Sequence, residues 1–235
     1  MVDSGRVTAT LRLTVGELQI AHPITVPAAP VPAAEVVPAL QGLVNAVVAA
    51  AEARSADMGK PISCRKGCGA CCRQLVPISR TEGERLLALV EALPADRRGA
   101  VTARFAEAET KIEAAGLANR AGKSDRSLSL AYFALGIPCP FLEEESCSIH
   151  TDRPLVCREY LVTSPAERCA GPAQEGVAPV PVPKLSLAAR GLEDDTDEWF
   201  PLALLMSRSR KTVSGAARRT GPEWIQRFLR RLGRP

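Results

Sequence analysis

Cys64-Arg-Lys-Gly-Cys68-Gly-Ala-Cys71-Cys72 puts four thiols, two glycines and two cations into nine residues. The thiols stand at i, i+4, i+7 and i+8. On a helix the first three would fall within about 60° of one another and the fourth about 80° from the first. Gly67 and Gly69 argue against a regular helix at the start, so the spacing predicts a glycine-rich knuckle running into a helix near Cys71. Either geometry converges the thiols. Arg65, Lys66 and Arg73 add positive charge, which favours the thiolate form that binds metal. Adjacent Cys71 and Cys72 are poorly placed to bridge each other, because a disulfide needs a wider Cα separation than one peptide step allows.

Four further cysteines follow: Cys139, Cys147, Cys157 and Cys169. Pro140 fixes the chain after its cysteine, and Glu143-Glu-Glu-Ser146 reads as a solvated hairpin tip. Pro154 suits a first helical position and places Cys157 about one turn in. Ser164-Pro-Ala-Glu167 reads as a capping box, with Cys169 on the short helix after it. Arg153 and Arg158 flank these thiols and can donate to sulfur or to a bound anion. His150 is a turn residue or hydrogen-bond partner in preference to a ligand.

Around the two cysteine stretches the chain reads as helical scaffold. Residues 6–26 alternate apolar and polar across Gly16-Glu17, the pattern of a β-hairpin, which must lie on helices because two strands alone are marginal. His22 falls in phase with Leu18 and Ile20 as a packing residue. A Pro/Ala linker, residues 27–38, precedes a helix from Pro38 to about Ala56. Ser79-Arg-Thr-Glu82 is a capping box opening a helix that stops at Pro94, and a second helix runs from about Ala95 to Ala115. The short connection predicts an antiparallel pair. Residues 116–130 read as a polar loop, Val177 to Pro183 as surface polyproline II, and Trp199–Ser207 and Pro222–Leu232 as closing helices. The fold class expected is mainly α-helical, with an N-terminal β-hairpin, an antiparallel helix pair and an irregular cysteine-rich module. Its divisions are 1–30 hairpin and linker, 31–175 cysteine-cluster domain, and 176–235 Pro-rich segment and basic helices packing on it.

The combination of Cys64-x3-Cys68-x2-Cys71-Cys72, Cys139-Pro-Phe-Leu142 and Cys147-x-Ile-His150-x2-Arg153-Pro-x2-Cys157-Arg158 resembles the CxxCxxCC family, the YkgJ-type cysteine cluster proteins described as zinc- or iron-chelating. The resemblance covers roughly residues 60–170. The first gap is three residues where the family's name implies two, and His150 stands where the family often has Tyr. A flagellin lysine methylase carries a similar cluster in a longer chain, which implies redox or methyl-transfer chemistry in the wider family.

Eight thiols suit two closed four-thiolate zinc sites or an iron–sulfur cluster with cysteines to spare, and exclude magnesium and calcium. Crowded, irregular spacing leans towards iron–sulfur. Cys64-x3-Cys68-x2-Cys71 is also the spacing by which radical S-adenosylmethionine enzymes hold a cluster. Ala70 stands where those enzymes usually place an aromatic, and the flanking chain lacks strand–helix alternation.

The totals bound the remaining classes. A chain of 235 residues, 46% apolar but only 4% aromatic, can build one good core with Leu, Val and Ala doing most of the packing. Residues 206–235 carry nine Lys or Arg against Glu223, a net +8, leaving the rest of the chain at −4. This basic segment lacks interleaved aromatics from Ser207 to Gly221 and reads as a solvated face in preference to a nucleic-acid surface. There is no basic-then-apolar leader, and the longest apolar run, Leu43 to Ala51, falls short of the roughly 20 residues that span a bilayer. A soluble, cytoplasmic protein is expected, in which thiols serve as ligands or redox groups. The function expected is a structural or redox-active metal-binding protein. Its alternatives are a cluster-dependent enzyme modifying another protein and a zinc-stabilised interaction module. No paired acid–base carboxylates, Ser-His-Asp set or phosphate-cradling loop names a substrate.

Overall fold

The computed structural model describes residues 5–118, 126–171, 176–193, 196–209 and 217–233. Strands β1 (Arg6–Val15) and β2 (Leu18–Pro27) form the expected antiparallel hairpin, paired from Arg6–Pro27 to Val15–Leu18. Its inward face, led by Ile20, Ile24 and Val26, lies on α1 (Val37–Asp57). His22 is half-buried and approaches Gly42 of that helix, as a packing histidine should. The Pro/Ala segment before α1 is not a bare linker. Val31–Pro32 (β3) pairs with Arg218–Arg219 (β8), and residues 33–36 make a turn of 3-10 helix with Ala33 and Val36 fully buried.

Helix α1 and its preceding turn, Ala33–Asp57, are long and apolar enough to cross a membrane by length and composition. Its apolar stripe, Leu40, Leu43, Val44 and Val47, is buried in protein, which makes it a core helix here. Gly59 ends it at φ +71, with Gly59 N–H on Ala56 O and Lys60 N–H on Ser55 O. This left-handed cap reverses the chain and aims it at the first cysteines.

Helices α2 (Arg80–Glu91) and α3 (Ala95–Ala114) form as read, α2 behind a complete Ser79–Glu82 capping box. They share a second core of Leu86, Val90, Val101 and Phe105 with Phe141, Ile149 and α7 (Leu205–Ser209). Phe105 and Phe141 meet edge to face, centroids 5.3 Å apart. A helix the sequence pattern did not announce, α4 (Arg126–Ala134), closes a third cluster around Tyr132, Ile137 and Trp199. The polar loop expected at 116–130 therefore ends in a helix, and its residues 119–125 lie outside the described residues. The first core gathers the hairpin, α1, α5 (Leu155–Glu159), α6 (Leu185–Arg190) and α8 (Gly221–Leu232). Eight α-helices and four two-stranded antiparallel ribbons make the described fold mainly helical.

Three expectations need correction. Residues 177–183 are extended at the surface, with Ala178, Pro179 and Pro181 exposed, but they are tied into the fold and do not form a free polyproline stretch. Thr163 N–H bonds Ala178 O, Val180 N–H bonds Leu161 O, and Val180 and Val182 are buried. Alternate prolines leave the intervening valines to pair and point inward. Ser164 caps no helix: its hydroxyl accepts Ala178 N–H, and a 3-10 turn over Ala166–Ala170 begins after Pro165. The closing segment from Trp199 is broken into β7 (Phe200–Pro201), paired to β4 (Pro77–Ile78), then a 3-10 turn and α7. The basic C-terminal residues largely serve the fold. Arg208 bonds Ala118 O, Arg218 bonds Pro30 O, Arg219 covers the Trp224 ring, and Arg227 bonds Leu192 O. Arg210 and Lys211 fall outside the described residues.

Candidate metal centre

The first thiol enters on an extended segment tied down by its neighbour. Ser63 N–H bonds Val162 O, and the Ser63 hydroxyl also donates to Ser164 O. Cys64 therefore packs against the first core, its sulfur 4.0 Å from Tyr160 O. The chain turns through Gly67, φ +88, with Cys68 N–H on Arg65 O, and enters a 3-10 turn over Ala70–Arg73. This is the expected knuckle, shorter and tighter at its helical end.

The downstream half docks directly on that knuckle. Cys139 N–H donates to Cys72 O at 2.7 Å. Strands β5 (Leu142–Glu143) and β6 (Ser146–Cys147) form a two-residue hairpin whose corner residues, Glu144 and Glu145, have φ of 48° and 57°. Such a turn normally calls for Asn or Gly, so two glutamates here are held by context. Arg73 grips Glu145 with two hydrogen bonds, 3.0 and 2.6 Å, and Arg104 and Arg97 bind Glu143 from α3. Gly69 sits against the same hairpin so closely that a Cβ would collide with the Glu145 carbonyl and Leu142. Glycine is needed here for backbone contact between the halves.

Cys157 is positioned from three directions. Gln41 of α1 donates to Asp152 O and Arg153 O. Arg158 donates to Arg153 O, Thr151 O and Asn45 Oδ1. Glu82 accepts Leu155 N–H at 2.8 Å. The second carboxylate oxygen of Glu82 takes Ser79 N–H and hydroxyl, so one buried side chain caps both α2 and α5. Pattern reading found the local cap and missed the distant one. Arg158, expected to donate to sulfur or to a bound anion, is instead a buried clamp on the 151–153 backbone and the Asn45 side chain, with its pKa lowered by burial to about 10. Cys169 is brought in by Gln74, whose amide donates to Cys169 O and Gly171 O, and its thiol faces the Tyr160 hydroxyl.

The expectation that nearby cations would depress the thiols fails where shifts are resolved. Burial raises Cys64, Cys147, Cys157 and Cys169, and raises Cys139 to about 12. Cys71 is pushed up first by its hydrogen bond with Cys72 and then by burial. Arg73 is spent on Glu145, and desolvation of a thiolate outweighs the remaining charges. His150 shifts down through burial and three neighbouring cations, Arg153, Lys66 and Arg158. That cationic surrounding disfavours a protonated imidazole.

All eight cysteines are unbridged. Among the described residues, no three Cys, His, Asp or Glu side chains already converge on one point as a bound metal requires. The donor chemistry nonetheless fits zinc or iron: Cys71 interacts electrostatically with Cys64 of its own half and with Cys139, Cys147, Cys157 and Cys169 of the other, all soft thiol donors. Arg153 supports the fit. Its charge acts on Cys64, Cys71, Cys147 and Cys157, while its Nε is buried with no hydrogen-bond partner. A thiolate or sulfide would give that donor an acceptor. A cavity of about 80 Å³ opens between Cys71 and Cys157, walled by Leu75, Val76, Pro77, Val156 and Tyr160.

Neither a search of curated proteins nor a search of solved structures returned a significant match. One family model does match, over residues 63–175, just under half the chain: CxxCxxCC, described as "Putative zinc- or iron-chelating domain". The matched span begins one residue before Cys64 and ends just beyond Cys169, enclosing every thiol discussed above. Over residues 63–175 this chain is therefore similar to the CxxCxxCC family.

Proposed function

We propose that this chain is a cytoplasmic metal-binding protein in which Cys64, Cys68, Cys71, Cys72, Cys139, Cys147, Cys157 and Cys169 supply the ligands of one iron–sulfur or zinc centre with a structural or redox role. The observation that carries this reading is the docking of the two cysteine-bearing halves through Cys139 N–H, Cys72 O and the Gly69 contact. Residues 31–175 then act as the cysteine-cluster domain, with the hairpin and C-terminal helices completing its first core. A bound iron–sulfur cluster would supply one-electron chemistry; zinc would supply cross-linking alone. The chain's own residues hold the thiols, exclude water by burial, and offer the Arg153 Nε–H to an anionic sulfur.

Elemental analysis of protein purified without oxygen tests the reading. Iron with acid-labile sulfide and visible charge-transfer absorption is the expected result. Colourless protein with stoichiometric zinc moves the centre to a structural role. Protein without either metal, with all eight thiols reactive in the folded state, overturns metal binding altogether.

A second reading is favoured by the apolar cavity at Cys71 and Cys157. An enzyme needs an open position beside its reactive group, and this is where one would be found.

A further inference from the structure

The eight thiols separate into two neighbourhoods. Cys64 packs on the first core and its sulfur approaches the Tyr160 carbonyl, while the hydroxyl of the same tyrosine faces Cys169. Cys169 is also bound to the knuckle through Gln74. Cys139 and Cys147 lie instead on the β5–β6 side and pack on the second core. Mutual charge interactions follow the same division. Cys169 is acted on by Cys71, Cys64 and Cys68, whereas Cys157 is acted on by Cys139, Cys71 and Cys147. Cys71 reaches both neighbourhoods, and Cys72 is hydrogen-bonded to it.

Each neighbourhood thus holds three thiols, one short of the four that close a tetrahedral thiolate site. The vicinal pair between them supplies the two that are missing. Cys71 interacts with thiols of both neighbourhoods while its side chain is hydrogen-bonded to that of Cys72, so the pair stands at the boundary where each position needs its fourth ligand. Resting on the metal-binding reading above, we propose that the centre comprises two coordination positions on either side of Cys71 and Cys72. One is formed by Cys64, Cys68 and Cys169, the other by Cys139, Cys147 and Cys157, and each is completed by one member of the vicinal pair.

The test is an anaerobic titration of the metal-free full chain with cobalt(II), followed by its ligand-field and thiolate charge-transfer bands. Saturation at two equivalents is expected. Saturation at one equivalent overturns the two positions and leaves metal binding intact, whereas no uptake overturns metal binding itself. Cys169→Ser and Cys147→Ser should each keep one equivalent at unchanged affinity and hold the other roughly tenfold or more weakly. Loss of both equivalents from either variant with native circular dichroism, or loss of neither, overturns the division. If a variant does not fold, the stoichiometry of the unsubstituted chain decides alone.

Discussion

At the scale of single residues, Glu82 concentrates the most consequence in one side chain. It is almost fully buried and accepts hydrogen bonds from Ser79 and from Leu155, 73 positions away. Glu82→Ala removes a capping box and strands the buried Leu155 N–H, a combined cost of about 2–4 kcal/mol. Urea unfolding of the metal-free protein measures it, and a loss below roughly 0.5 kcal/mol would show that α5 does not depend on this cap. The same residue carries a pH dependence. Burial raises its pKa above the ordinary carboxylate value of 4.5, so the folded state holds the proton more tightly than the unfolded chain. Its contribution is therefore most favourable below that value and declines as pH rises through the raised pKa. Glu82→Gln lacks this titration. The stability of the unsubstituted chain relative to Glu82→Gln should fall as pH rises from the ordinary value, and a difference independent of pH would refute the assignment.

At the scale of elements, the knuckle and the β5–β6 hairpin act as one unit through Gly69. A Cβ at Gly69 meets the hairpin backbone, whereas one at Gly67 meets open space but a strained φ of +88. Overpacking at Gly69→Ala should cost about 1–3 kcal/mol, and left-handed strain at Gly67→Ala about 1–2 kcal/mol. Metal uptake separates them better than stability does: Gly69→Ala should lose metal stoichiometry while Gly67→Ala keeps it. Equal retention in both would show that the halves need not touch to bind. The elements also show what a sequence can and cannot disclose. The hairpin, α1, α2, α3 and α8 were readable because alternation, helical periodicity, Pro and capping boxes are local signals. The Thr220–Glu223 box that starts α8 went unread although it has the same form as that of α2. Arg158 was misassigned for a different reason. Its partners Asn45 and the 151–153 backbone are contacts of tertiary origin, and a flanking cation in a motif looks the same whether it faces sulfur or carbonyl. The thiol pKa values were misjudged similarly, since charge is visible in a sequence and desolvation is not.

At the scale of the molecule, the thiols lie where separate cores meet: Cys64 packs on the first, Cys139 and Cys147 on the second. Metal bound there is a cross-link between cores as much as a cofactor. Anything that binds only the folded state stabilises it by mass action, about 4 kcal/mol at a free concentration a thousandfold above the dissociation constant. Removing the metal should therefore lower the thermal midpoint and also weaken cooperativity between the cores. Two tryptophans make this measurable, because Trp224 is buried in the first core and Trp199 in the third, which shares Phe200 as a packing neighbour with the second. With Trp199→Phe reporting on Trp224 alone and Trp224→Phe on Trp199 alone, the metal-loaded protein should show coincident transitions from both reporters. After chelation the two should separate, with both midpoints lowered. Coincident and unshifted transitions after complete metal removal would mean that the cores are joined by their own packing, and that the cysteine centre serves chemistry without holding the fold together.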